Sequence, residues 1–270
     1  MELKVIAYAR NGHMDKFGIP RQSREESPIL TRIVFEPEYN VPEALRGIEG
    51  YSHLWLLWGF SDVQRKDVRC TKEVRREESM KDDEEGTDER CAMDWSPTVR
   101  PPRLGGNKRM GVFATRSPFR PNPIGLSSVR NLTPTLSSRE GVYIGESGRM
   151  ELIVSGADVL DGTPIYDIKP YLSFSDSHPD AKNGFAEETK DYQLEVKWQV
   201  EGTTSIAEDK RYGLGLPRDT KDAITYILAQ DPRPAYQDDP EREYKMDYDG
   251  YTITFSVKKQ VVVVKKIEKT

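Results

Sequence analysis

Cysteine is scarce: Cys70 and Cys91 are the only two in 270 residues, and both fall in a densely charged segment. That scarcity excludes a disulfide framework and points to a reducing compartment, the cytoplasm. Nowhere does an apolar run approach the roughly 18 residues of a membrane span. The longest, His53 to Phe60 (HLWLLWGF), has the length of a buried strand. The opening MELKVIAYAR lacks the charged start, apolar centre and small-residue cleavage site of a signal peptide. No GxGxxG follows a strand pattern, no GxxxxGK[ST] occurs, and nothing resembles GxSxG. A nucleotide-binding doubly wound sheet and a serine-hydrolase elbow are therefore without support. The three histidines are scattered and neither cysteine has a partner at ligand spacing, so no metal is expected. His53, opening the aromatic run, reads as a core histidine. Whatever chemistry such a chain performs has to come from a bound small molecule.

Acidic residues are missing from one long window. They make up 45 of 270 residues, yet none occurs from Ser96 to Arg139. Eight basic residues do: Arg100, Arg103, Lys108, Arg109, Arg116, Arg120, Arg130 and Arg139. The net charge of −5 hides this segregation. Clustered positive charge, not the average, is what a phosphate backbone responds to.

Short β-type runs dominate what is present. LKVIAY (3–8), Arg32 to Phe35, HLWLLWGF, MGVFATR (110–116), LSSVRNL, VYIGES and RMELIVSGADVL (149–160) alternate with Gly/Pro punctuation. Long amphipathic helices are nearly lacking, which favours a β-barrel or sandwich. Arg65 to Arg90 carries 18 charges in 26 residues and reads as a solvated insertion, spanning about 65–95. SFSDSHPDAKN (173–183) is loop-rich and marks a boundary, giving domains at 1–180 and 181–270. The second domain, with YQLEVKWQV, a helix at Thr220 to Ala229, TITFSV and QVVVV, reads as α+β.

Four loops stand out. FGIPRQ (17–22) is a Gly-Pro bend presenting Arg21 and Gln22. RSPFRPNPIGLS (116–127) places three prolines around two arginines, so it forms neither helix nor central strand. Residues before each proline are confined to extended geometry, which presets Arg116 and Arg120 at little ordering cost. Gly125 would let the backbone approach a ligand closely. DVLDGTPIYDIKPY (158–171) sets acids 158, 161 and 167 around an Asp-Gly turn, and QDPRPAY (230–236) puts Arg233 between prolines.

KFGIPRQ, RPPRLGGNKRMGVFATRSPFRPNPIGLSSV, DVLDGTPIYDIKPYL and DPRPAY, in this order, closely resemble the TrmO family, also called TsaA-like. The resemblance covers essentially the whole chain outside the charged insertion. It implies a mainly β fold, a single-sheeted β-barrel rather than a Rossmann sheet, with a smaller C-terminal α+β domain. It also implies an S-adenosylmethionine-dependent methyltransferase acting on N6 of threonylcarbamoyladenosine at position 37 of threonine tRNA. A cofactor site near a homodimer interface comes with it, and no metal or membrane. Carried onto matching positions, the family's cofactor contacts fall on Pro20, Arg21, Gln22, Ser61, Asp62, Arg116, Leu126, Asp158, Asp161, Gly162 and Thr163. Arg120, Arg233 and Tyr236 are the expected RNA contacts, with Tyr236 stacking on a base. The accepting nitrogen is carbamoylated and a poor nucleophile, so Asp161, Tyr166 or Asp167 are candidates for a general base, with alignment alone as the other option. A non-catalytic RNA-binding module and a methyltransferase for another nucleoside or small molecule are the rival readings.

Overall fold

The computed structural model describes residues 2–14, 17–20, 22–24, 26–60, 95–101, 108–133, 143–145, 148–199, 220–233, 239 and 241–270. The expectations at Arg21, Ser61, Asp62 and Tyr236, and the charged insertion up to residue 94, lie outside the described residues.

Alternation of buried and exposed side chains builds the first sheet. Its strands are β1 (Ala7–Arg10), β2 (Leu30–Phe35), β3 (His53–Gly59), β6 (Ile124–Asn131), β7 (Tyr143–Ile144), β8 (Met150–Ser155) and β9 (Pro164–Pro170). β4 (Thr98–Val99) and β5 (Met110–Gly111) form a separate short hairpin. Along β3, Leu54, Leu56 and Trp58 turn inward, and along β6 Gly125, Ser127, Val129 and Asn131 do. β8 is buried on both sides, which suits its unbroken MELIVS composition. Ile33, Leu54, Leu56, Leu152, Val154 and Ile165 are fully enclosed at the centre. Each contributes about 1.5–3 kcal/mol by leaving water.

The single-sheeted β-barrel expected from the sequence is not what forms. The strands make one seven-stranded sheet in the order β2-β1-β9-β3-β6-β8-β7, with an added β2–β8 pairing. The ring these pairings trace is not a barrel. The β3–β6 ladder runs from His53–Arg130 to Gly59–Ile124. The β1–β9 seam, by contrast, is only Ala7–Ile165 and Tyr8–Pro164, and β6–β8 only Arg130–Ser155 and Asn131–Val154. A barrel needs a continuous ladder of consistent stagger at every seam. MGVFATR also departs from a strand, turning after Gly111 into a 3-10 turn at Val112–Ala114.

The C-terminal residues form a second sheet of β10 (Glu195–Trp198), β13 (Val261–Lys269), β12 (Tyr251–Lys258) and β11 (Glu243–Tyr248) in that order. In chain order the single-turn α1 (Ser173–Asp176) precedes β10, and α2 (Thr220–Ala229) lies between β10 and β11. Helix α2 buries Ala223, Ile224, Ile227 and Leu228, a spacing of three and four that makes one face. They join Met246, Ile253, Phe255, Val257, Val262 and Val264 in a second core. Ile29 belongs to this core and Phe17 packs on it, so the segment joining β1 to β2 is shared with the C-terminal sheet.

His13 marks that junction. It bridges to Tyr248, its ring edge-on to the tyrosine at 5.3 Å, and its carbonyl accepts from the Asp161 N–H at 2.9 Å. The side chain is 2% exposed and its Nε2 meets no partner among the described residues. Burial holds its pKa down at about 4, below the ordinary 6.5. A depressed histidine stabilises the fold above its unfolded pKa, and that contribution is lost as pH falls from 6.5 through 4. The loss amounts to about 3 kcal/mol at the acid end. Urea denaturation at pH 7 and pH 4 is expected to show this drop, and His13→Phe to remove it. An unchanged drop in the variant would assign the acid sensitivity to other groups.

Candidate active site: a carboxylate oriented from within the sheet

Gly125 sits opposite Trp58 in the β3–β6 register. A Cβ at this position would lie 2.2 Å from Trp58 Cε2 and 2.4 Å from Cζ2. The missing side chain thus makes room for the indole, not for a ligand as its sequence context suggests. With the ring inside, Trp58 Nε1 donates to Ser127 Oγ at 2.8 Å, and Ser127 Oγ donates to Asp158 Oδ1. An indole N–H can only donate, so the single hydroxyl proton of Ser127 is directed at the carboxylate. The chain from Trp58 to Asp158 therefore has one polarity, and it fixes one face of the acid.

Asp158 is half-buried just beyond β8. Desolvation pushes its pKa above the ordinary carboxylate range. Ser127, the backbone N–H groups of Asp158 and Ser23, and the Arg116 guanidinium pull in the opposite direction. Ser23 is further pinned through its hydroxyl to the Ser128 carbonyl. The bend holding buried Pro20 and exposed Gln22 thus runs next to the residue that donates to Asp158. Arg116 projects exposed from the proline loop, which forms no regular structure between Thr115 and Ile124. Ser127, Ser23 and Arg116 are thus the residues that act on the Asp158 carboxylate, and Gln22 is the chain neighbour of Ser23. Helix α2 adds Tyr226, whose hydroxyl pKa is raised by desolvation and, among smaller contributions, by Asp158.

Asp161, Gly162 and Thr163 form the adjoining turn. Gly162 has φ +78°, a left-handed conformation that favours glycine, and its N–H donates to Ala9. Asp161 accepts from the Asn11 N–H at 3.0 Å and from Arg10 Nη1 at 3.2 Å. Asn11 Nδ2 meanwhile donates to the Val159 carbonyl at 3.0 Å. Both carboxylate oxygens of Asp161 are engaged, and these bonds brace the turn. Asp167 is also committed, with Lys169 Nζ at 2.7 Å and the Ile168 N–H at 2.9 Å. It lies with Leu57 and Leu126 in one row across the outer face, where Leu126 is exposed. Tyr166 leans over Gly59, its hydroxyl 2.3 Å from where a Cβ there would stand. Of the base candidates, the Asp161 turn is tied to β1, and Tyr166 and Asp167 belong to β9.

Arg120 folds back on its own loop, donating from Nη1 to the carbonyls of Thr115 and Ser117 at 3.1 Å each. It holds the loop's shape. Arg233 is 8% exposed and grips Asp231 with Nε at 2.8 Å and Nη2 at 3.0 Å. Tyr192 donates to the same carboxylate at 3.1 Å. The Asp231–Arg233–Tyr192 cluster holds the turn after α2, in which Asp231 has φ +51°. Ser127, Trp58 and Ser23 were not singled out by sequence. The only trace of Ser127 is its inward place in the alternation of LSSVRN.

Among the described residues, no group of three or more His, Cys, Asp or Glu can hold a metal ion. Nor is any described helix long and apolar enough to cross a membrane.

Comparison with known proteins adds an independent line. Residues 8–177 match the model of the tRNA-methyltransferase O N-terminal domain, and residues 191–270 that of the TrmO C-terminal domain. A tRNA (adenine(37)-N6)-methyltransferase of Eikenella corrodens is 45% identical over 64% of this chain and 87% of its own length. One from Escherichia coli K12 is 37% identical over 87% of this chain and 83% of its own. A crystal structure of TrmO from Pseudomonas aeruginosa superposes with a TM-score of 0.65 at 27% identity, covering 99% of this chain and 98% of that one. The proline loop, the Asp-Gly turn and the half-buried carboxylate of Asp158 thus stand in a chain that belongs to the tRNA-methyltransferase O family.

Proposed function

We propose that this protein transfers a methyl group from S-adenosylmethionine to N6 of threonylcarbamoyladenosine at position 37 of threonine tRNA, in the cytoplasm. The observation that carries this reading is the match, over most of both chains, to proteins named tRNA (adenine(37)-N6)-methyltransferase. Bound S-adenosylmethionine supplies the electrophilic methyl on its sulfonium. The chain's own residues fit such a molecule. Asp158 is a half-buried carboxylate with its orientation fixed by Ser127, and it accepts from an amino or ribose hydroxyl group. Arg116 faces Asp158 from a stiff loop and can pair with a carboxylate in bidentate fashion. Gln22 is the chain neighbour of Ser23, Pro20 lies two residues before it, and Leu126 stands exposed on the outer face of β6.

With Asp161 and Asp167 engaged by Arg10 and Lys169, holding the reactants in line is the main contribution of these residues. Oriented encounter of this kind is worth several powers of ten in rate. The outer face of β6, with Ile124 39% and Leu126 53% exposed, supports assembly as a homodimer.

Mass spectrometry of nucleosides tests the reading directly. Threonine tRNA incubated with the protein and labelled S-adenosylmethionine is expected to gain one methyl on threonylcarbamoyladenosine. A methyl on another nucleoside selects a different substrate, and RNA binding with no methyl gained selects a module that does not transfer.

A further inference from the structure

Phe113 is 72% exposed, a large cost for a phenyl ring with no evident role in the core. Its pose is not accidental. Val112, its neighbour in the 3-10 turn, is 1% exposed and anchors the turn, with Thr115 Oγ1 donating to the Val112 carbonyl at 2.8 Å. The Val112 N–H donates to Pro97 at 3.0 Å, and the Ser96 N–H to Phe119 at 3.1 Å. These bonds tie the turn to both the segment after Trp95 and the proline loop. Trp95 then stacks on Phe113, centroids 5.8 Å apart and planes 29° from parallel. One ring thus props the other in the open.

The surroundings of this pair are cationic. Arg100, Lys108 and Arg109 lie exposed at the β4–β5 hairpin, and Arg109 Nη1 donates to Thr98 Oγ1 at 2.7 Å. Arg116 follows Phe113 by three residues and is also exposed. The whole window from Ser96 to Arg139 contains no acid. An apolar protein partner would call for more apolar neighbours around the ring. Flat faces beside cations that form no ion pair among the described residues fit a polyanion with flat rings of its own, which is single-stranded nucleic acid.

We infer that Phe113, propped on Trp95, is a stacking platform for one unpaired base of the RNA substrate, with Arg100, Lys108 and Arg109 holding neighbouring phosphates. The inference rests on the tRNA reading above and adds to it the surface that receives the loop. Stacking is sequence-tolerant, so this surface supplies affinity and placement rather than base identity.

Fluorescence anisotropy with a labelled anticodon stem-loop RNA tests it. Phe113→Ala and Phe113→Leu are both expected to weaken binding by about tenfold or more, because Leu keeps apolar area but loses the flat ring. Phe113→Trp is expected to keep it. Calorimetric affinity for S-adenosylmethionine and sedimentation behaviour are expected to stay as in wild type, reporting an intact fold and assembly. Wild-type RNA affinity in Phe113→Ala overturns the inference while leaving the proposed function standing. Dissociation of an oligomer in that variant also overturns it, since the ring then belongs to a contact with a second copy. Failure of the wild-type protein to bind the RNA at all removes the tRNA reading, and this inference with it.

Discussion

Asp158→Asn is expected to lose affinity for S-adenosylmethionine by about a hundredfold while leaving the protein as stable as wild type or more so. The two halves of this expectation have one cause. Desolvation raises the pKa of Asp158 above the ordinary carboxylate range despite Ser127, Ser23 and Arg116. An acid raised on folding contributes stability below its unfolded pKa, and loses that contribution as pH rises through the folded value. At neutral pH the charged carboxylate is therefore a burden on the fold. An asparagine keeps an oxygen for the Ser127 hydroxyl and carries no charge, so the burden disappears. It also presents a donor where the carboxylate accepts, and it no longer faces Arg116 as an anion. A charged hydrogen bond is worth about 1.5–3 kcal/mol, which sets the expected loss in affinity. Calorimetry and thermal melting together check it. Unchanged donor affinity, or a marked fall in melting temperature, would show that Asp158 serves the fold and not the ligand.

Gly125→Ala should be among the most damaging single-methyl changes in the first sheet. The new Cβ would stand within 2.5 Å of three Trp58 ring atoms, and Trp58 is 6% exposed. Displacing the indole breaks its bond to Ser127 and releases the polarity of the chain that ends on Asp158. Overpacking and the lost hydrogen bond together cost about 3 kcal/mol. Because the clash is with one named side chain, Trp58→Phe in the Gly125→Ala background is expected to recover part of the stability. A double-mutant cycle measures that coupling. Additive losses in the cycle would mean that the two residues do not share the space the structure gives them.

These two positions also show what the sequence discloses and what it withholds. The proline loop, the Asp-Gly turn and the acid-free window are legible because proline, glycine and charge act within a few residues of themselves. Arg116 and Asp158 were reached in this way. The Trp58–Ser127–Asp158 chain was not, because it depends on a register that pairs residues 58 and 125 and then reaches residue 158. Gly125 looked like a place for a ligand until its opposite number proved to be an indole. Arg233 stands between two prolines and is an expected RNA contact, yet the turn folds its guanidinium onto Asp231, two residues back.

Strand runs were visible, but the closure of the sheet was not. Whether strands make a barrel depends on the length of each seam, and the β1–β9 and β6–β8 seams are short. β11 carries the period-2 alternation of a half-buried strand, exposed Glu243, Lys245 and Asp247 against inward Tyr244, Met246 and Tyr248, with no β-branched residue to reinforce it.

The central claim is that Asp158, aimed by Ser127 and faced by Arg116, anchors the methyl donor. A crystal structure of the protein with S-adenosylhomocysteine, the donor's demethylated product, tests it most directly. The account expects this molecule within hydrogen-bond distance of the Asp158 carboxylate and the Arg116 guanidinium. Density for it elsewhere on the molecule, with these two side chains untouched, would contradict the claim.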